Sequence, residues 1–301
     1  MNVGLIMSGE CHYESFYHKD GENYLLLDDT PYIKIQGIKD MLGLPMPFNG
    51  TFIRWASGLP DIDFDVLFVC IDKEFDKYKV SDLRAKYPNT VLVAYTREKS
   101  PIYHMPPGRI DFFNQCDKVA CPYGDKVIDR IRSLVDKKVY SFPYPYDIEG
   151  IRKKHYREAR EFKIMVGCNT RNPRRLYRDS LKFARKIASI CPHDLFERPN
   201  YGWDEWLDVL SECALCINLD PMPEIGQVPI ECAILSVAHF GSELDAAKRL
   251  WSQTANNNTN YLTDLIVSRD YLEMCDNALE SVRKIYSYDA ARENLKKLME
   301  D

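Results

Sequence analysis

Short apolar runs alternate along the chain with stretches whose apolar residues recur at helical spacing. In the first half, strands are expected at residues 2–7, at Asp65–Ile71, at Thr90–Tyr95 and at Lys118–Cys121. The run DVLFVCI at 65–71 is apolar on both faces, as a parallel strand covered on both sides requires. Val139–Phe142 reads as an edge-like strand. Helices are expected at Val80–Lys86, at Ile110–Gln115 and at Asp125–Val135, where Val127, Ile128, Ile131, Leu134 and Val135 share a face. The spacing also predicts a helix over Pro31–Met41, with Gly43 and Pro45 as its stop. Residues 45–62, rich in Pro, Gly and Asn, read as loop.

The segment Pro143-Tyr144-Pro145-Tyr146-Asp147 is a proline-stiffened crossing, and a domain boundary is expected near residue 150. The same rhythm then restarts. A charged helix is expected at Arg152–Glu161, a strand at Lys163–Gly167, a long helix at Leu176–Ile190, and a turn with a short strand within Asp194–Tyr201. Residues 206–242 hold the densest pattern. A short helix from Trp206 leads to a strand-length run, Ala214–Leu219. A turn-rich break from Asp220 to Gln227 follows, then an apolar helix from Val228 and a last run, Ser236–Ser242. Glu243–Trp251 and residues 271–299 are helical by spacing. Strand–helix alternation in both halves predicts an α/β chain of two Rossmann-like domains, 1–150 and 151–301.

Composition narrows the class. The chain has 301 residues, enough for two domains of about 150 each. Apolar residues make up 45% and charged residues 28%, ordinary for a globular protein with a sizeable core. No apolar run approaches the roughly 20 residues of a membrane span. The start, MNVGLIMSGE, lacks the basic region of a secretion signal, so a cytoplasmic protein is expected. The net charge is −5, split −4 and −1 between residues 1–150 and the remainder, which argues against a polyanion binder. Most of the ten cysteines stand in apolar settings and read as free buried thiols. Cys213 and Cys216 lack the second pair that a zinc site needs.

The break at 220–227 sits where a strand's carboxyl end meets a helix N-terminus, the usual ligand crevice of an open parallel sheet. Free N–H groups and the helix dipole favour an anion such as a diphosphate there, and Pro229 is tolerated in the first turn. Glu224 and Glu231 flank this junction. A carboxylate does not hold a phosphate, so their chemistry is to accept hydrogen bonds from hydroxyl groups. The other reading is a solvated loop acid and a polar residue on the outer face of the helix. A second junction, Asn169-Thr170-Arg171-Asn172-Pro173-Arg174-Arg175, concentrates guanidinium groups that match phosphate oxygens. Cations oppose the dipole at a helix start, which favours an anionic partner over a merely solvated basic turn. In the first half, Ser8-Gly9-Glu10 and His12 follow the first strand, and Arg97 follows the strand at 90–95. Each stands where a bound molecule would meet it, although a histidine there is more often a plain surface residue.

The run from Glu224 to Ser242 resembles the donor-sugar motif of GT-B glycosyltransferases, of the retaining, family 4-like kind. In that motif two glutamates flank a glycine-containing loop and helix start. Here six residues separate them, one fewer than in the commonest form. Anchored on Glu231, Pro223 takes the place of the first glutamate, with Glu224 beside it. The resemblance implies a GT-B fold: two Rossmann-like domains facing across a cleft, 1–150 taking the acceptor and 151–301 the nucleotide-sugar donor. It implies that the C-terminal helices reach back to the first domain, and that Phe196-Glu197-Arg198-Pro199 lies where the nucleobase is read.

By that resemblance Asn169, Thr170, Arg171, Arg174, Arg175, Gly226, Gln227 and Glu231 bind the donor, and Glu224 and Arg174 serve catalysis. Ser8, Gly9, Glu10, His12 and Arg97 would meet the acceptor. No metal is implied, and Asp61-Ile62-Asp63 matches the metal-binding letters only in the first half, before a strand. No cofactor is expected beyond the nucleotide-diphosphate sugar itself. The expected activity is a hexosyl or related transfer. The acceptor stays open among a saccharide, a lipid-linked or small molecule, a protein and a modified DNA base. A sugar-nucleotide epimerase and a non-catalytic nucleotide-sugar-binding protein are the alternatives.

Overall fold

The apolar runs of the first half assemble into one sheet. A computed structural model describes residues 3–7, 32–35, 50–54, 59, 61, 63–70, 79–96, 105, 107–143, 145–158, 163–167, 177–190, 194–197, 203–219, 227–241, 245–251, 264, 267–268 and 270–300. The chain divides into two units, Met1–Tyr146 with Tyr288–Asp301, and Asp147–Ser287.

In the first unit the strands are β1 (Val3–Met7), β2 (Tyr32–Ile35), β3 (Gly50–Arg54), β4 (Val66–Cys70), β5 (Val91–Tyr95), β6 (Lys118–Cys121) and β7 (Val139–Ser141). They lie in the order β2-β3-β1-β4-β5-β6-β7. All neighbours are parallel except β2 and β3, which run antiparallel. Val66–Val69 and Leu92–Tyr95 are buried, as the central strands of a doubly covered sheet must be.

Two sequence expectations fail in this unit. Tyr32–Ile35 is a strand where a helix was expected, and Gly50–Arg54 is a strand inside the expected loop. Both segments are rich in aromatic and β-branched residues (Tyr-Ile-Lys-Ile and Thr-Phe-Ile), which suit a pleated surface. The Gly, Pro and Asn around them read as a helix stop and as a loop.

Helices α1 (Val80–Lys86), α2 (Pro107–Gln115) and α3 (Asp125–Arg132) connect these strands. Asp117 ties the connections together. It accepts from the Leu92 amide at 2.8 Å and pairs with Arg84 of α1. The final helix, Tyr288–Glu300, groups with this unit: it buries Ala291, Leu295 and Leu298, and Lys118 donates to the Leu298 carbonyl.

The second unit opens with α4 (Ile148–His155), capped by the Asp147 carboxylate, which accepts from the Gly150 amide at 3.0 Å. The helix starts at Ile148 and ends at His155, not at 152 and 161, because the cap and buried Ile148 and Ile151 outweigh the charged run after them. Then come β8 (Lys163–Val166), α5 (Tyr177–Ile190), β9 (Asp194–Glu197), α6 (Trp203–Ser211), β10 (Leu215–Asn218), α7 (Gln227–Ile234), β11 (Ala238–Gly241), α8 (Asp245–Leu250) and α9 (Tyr271–Tyr286). The sheet is wholly parallel, in the order β11-β10-β8-β9.

Helix α7 is the centre of this unit. Every residue from Val228 to Ile234 is buried, and the helix packs against α8, α9 and β11. A helix buried all round reads as a core element rather than a surface one. Its C-terminus closes with the Val237 amide on the Cys232 carbonyl at 2.8 Å and the Ser236 amide on the Ala233 carbonyl at 3.2 Å. Ser236 takes the left-handed conformation that this closure needs, with φ of 55°. Arg152 of α4 adds bonds to the Ile234 carbonyl at 2.6 Å and to the Ser236 hydroxyl at 3.1 Å.

Replacing Arg152 by Ala leaves that carbonyl short of its donor. The expected cost is about 2 kcal/mol of stability, typical for a hydrogen bond from a charged group. Urea denaturation of the full chain checks it: the midpoint falls in the variant, whereas an unchanged midpoint means that the guanidinium does not hold the helix end.

Candidate functional site

The topology of the second unit picks out one place. From β8 the chain goes to β9 on one side, then crosses to β10 on the other side of β8. The strand order therefore reverses between β8 and β10, and a crevice outside the carboxyl ends of such strands is where open α/β sheets bind ligands. β8 and β10 are direct parallel neighbours, with Ile164 opposite Leu215 and Val166 opposite Ile217.

Close packing brings two helix starts to these strand ends. The Gly167 amide, just after β8, donates to the Ile217 carbonyl at 2.8 Å. A Cβ at Gly167 would come within 2.8 Å of Cys216 Sγ and 3.2 Å of Val228 Cγ1, so glycine lets the first turn of α7 approach β8. Ser180, in the first turn of α5, accepts from the Leu219 amide at 3.1 Å and so ties α5 to the end of β10. At Gly241 a Cβ would stand 2.2 Å from the Asn218 carbonyl oxygen, its partner in register on β10, so no larger residue fits. The first turns of α5 and α7 thus meet the ends of the two strands where the order reverses.

Glu231 sits in the second turn of α7 and is only 2% exposed. It accepts a hydrogen bond from Trp206 Nε1 of α6 at 2.6 Å. A carboxylate so placed is not a solvated residue on an outer helix face. The start of the same helix is held by Trp251, whose Nε1 donates to the Pro229 carbonyl at 3.0 Å. The His239 ring of β11 lies 6.2 Å from the Trp251 ring and is buried. Removal from water disfavours its charged form and pulls its pKa down to about 3. A neutral imidazole adds no charge beside Trp251.

Of the residues expected to act, Gln227 opens α7 and Glu231 lies within it. Glu224, Gly226, Asn169, Thr170, Arg171, Arg174, Arg175, Ser8, Gly9, Glu10, His12 and Arg97 lie outside the described residues. In sequence, 168–176 join β8 to α5 and 220–226 join β10 to α7, the two neighbouring strands of the reversal. Asp61 pairs with Lys86 at 2.8 Å and is fully exposed, as an ordinary surface ion pair. Cys213, Cys216 and Cys232 are buried, as their apolar settings predict. Trp206, Trp251, Ser180 and His239 were not singled out on sequence. For the two tryptophans the only signal was that a buried indole needs a partner for its N–H; Ser180 and His239 gave none.

No family model matches the chain, and no curated protein matches it. Solved structures do. TarM of S. aureus superposes with a TM-score of 0.60 at 12% identity, over 78% of this chain and 55% of TarM. The chain thus spans about half of TarM's length. The sucrose-phosphate synthase of Thermosynechococcus elongatus gives 0.57 at 10% identity, over 99% of this chain and 98% of that one. HepE of Anabaena, solved with UDP and glucose, gives 0.54 at 9% identity over 79% and 78%. The chain has the GT-B fold. Its two units are the two Rossmann-like domains of that architecture, each a largely parallel sheet with helices between the strands. Among the described residues, no helix is long and apolar enough to cross a membrane.

The burial of His239 makes stability depend on pH. Its folded pKa, about 3, lies below the ordinary 6.5. Its contribution is therefore fully present above pH 6.5 and is lost as the pH falls from there towards 3, where the unfolded chain takes up a proton that the fold refuses. Between about pH 7 and about pH 5 the loss is about 2 kcal/mol. Urea midpoints at the two pH values check this against His239→Gln, which should lack that part of the drop.

Proposed function

We propose that the chain transfers a sugar from a nucleoside-diphosphate sugar to a hydroxyl acceptor, with the second unit binding the donor. The observation that carries this reading is the strand-order reversal between β8 and β10. The arginine-rich segment 168–176 enters α5 from one of these strands, and the segment before Glu231 enters α7 from the other. Support also comes from the GT-B fold and from HepE, which was solved with UDP and glucose.

In this reading Arg171, Arg174 and Arg175, with amides near Gly226 and Gln227, take the diphosphate and neutralise the charge that grows on it as the sugar leaves. Asn169 and Thr170 complete the loop after β8. Glu231 accepts from ribose hydroxyls, and Glu224 from hydroxyls of the sugar. The arginines do the work that a metal ion does elsewhere, so transfer is metal-independent. The leaving phosphate can itself take the proton from the acceptor hydroxyl on the face it departs from, which retains the configuration at the sugar. The first unit supplies the acceptor contacts through Ser8, Gly9, Glu10, His12 and Arg97.

Calorimetric titration of the full chain with UDP, GDP and ADP tests the donor site. One of the three binds, and Arg174→Ala weakens that binding by roughly 10–100-fold, the worth of one or two hydrogen bonds to a charged group. Absence of heat with all three sinks the proposal, and unchanged affinity in the variant removes Arg174 from it. Binding without transfer to any hydroxyl acceptor would favour the alternative of a nucleotide-sugar-binding protein.

A further inference from the structure

The bond between Trp206 and Glu231 leads one step beyond the donor reading, on which this inference depends. Both side chains are buried, at 3% and 2% exposure, and they come from different helices. An indole has one polar hydrogen and no acceptor, so this contact has a single direction: Trp206 donates, Glu231 accepts. At 2.6 Å it is short for an N–H···O bond. A carboxylate offers about four acceptor positions. A bond to one of them helps to fix the plane of the group.

Helix α6 is placed to hold its tryptophan still. Asp204 and Asp208 lie one turn apart on α6, on the face turned away from Trp206 by the helical repeat. Both carboxylates meet His155 of α4, Asp208 at Nδ1 (2.8 Å) and Asp204 at Nε2 (3.3 Å), and Lys154 adds a bond to Asp204 at 2.7 Å. Burial alone would raise the Asp204 pKa. The Lys154 ammonium and His155 outweigh it and hold the group below its usual range. The helix is therefore fastened on one side to α4 and presents Trp206 to α7 on the other.

We propose that Trp206 is a positioning residue: its indole N–H orients the Glu231 carboxylate for the ribose hydroxyls of the donor and so sets nucleotide affinity. A group oriented in advance binds more tightly, because ordering it costs nothing at the moment of binding. The indole itself touches no reacting atom.

The test uses the full chain, with UDP (or GDP or ADP, if one of these is the tighter ligand), its 2′-deoxy form and inorganic pyrophosphate as probes. Trp206→Phe keeps the ring and removes the donor. It should weaken UDP about tenfold, leave pyrophosphate unchanged, and shrink the preference for UDP over its 2′-deoxy form. In turnover it should raise KM for the donor and leave kcat nearly unchanged. Equal weakening of UDP, 2′-deoxy-UDP and pyrophosphate would mean a merely structural role and overturn the proposal. Glu231→Gln separates the two levels. If it leaves UDP affinity intact, the donor role of Glu231 itself fails. If it weakens UDP while Trp206→Phe binds like the unmodified chain, only the positioning role fails. Should Trp206→Phe not fold, the indole N–H resonance of Trp206 in the unmodified chain decides: it shifts on saturation with UDP and not with pyrophosphate, and no shift with either overturns the proposal.

Discussion

A carboxylate in the middle of a fully buried helix is the constraint around which the second unit is arranged. Burying an ionised group without partners costs several kcal/mol or more, and Glu231 is surrounded on α7 by Val228, Ile230, Cys232, Ala233 and Ile234. Its bond from Trp206 offsets part of that cost and at the same time dictates where α6 must lie. The neighbouring ties follow from the same need for a fixed α7. Trp251 holds the first turn through the Pro229 carbonyl, and Arg152 holds the last through the Ile234 carbonyl. An acid at so buried a position points to a ligand rather than to packing.

The chemistry fits that arrangement. The reversal between β8 and β10 provides the crevice, and glycine at 167 and 241 lets backbone and helix close in on the strand ends without side chains in the way. His239 is kept neutral by burial and adds no positive charge to this unit; in the proposed reading that charge comes from the arginines of 168–176. Positive charge supplied by fixed guanidiniums costs no reorganisation as a diphosphate departs.

Much of this fold was legible in the sequence, for a physical reason. Runs such as 65–71 and 90–95 are apolar on both faces, as the strands of a covered parallel sheet are. The amphipathic spacing of Val127, Ile128 and Ile131 marked a helix that buries those three residues. The strands at 32–35 and 50–54 were hidden because each is short and flanked by turn residues, and because strand identity there comes from pairing with neighbours distant in sequence. The position of Glu231 on a helix after a strand was readable, but its partner was not. Trp206 lies 25 residues away, and nothing in local spacing links an indole on one helix to an acid on another. The same holds for His155 and its two aspartates, which only the packing of α4 on α6 brings together.

The most direct measurement is a crystal structure of the full chain grown with UDP. The account predicts the nucleotide outside the carboxyl ends of β8 and β10, with its ribose on Glu231 and its phosphates at the entry to α5 and α7. A nucleotide bound only elsewhere, on the seven-stranded sheet or on the outer surface, with Glu231 touching no ligand, would contradict it.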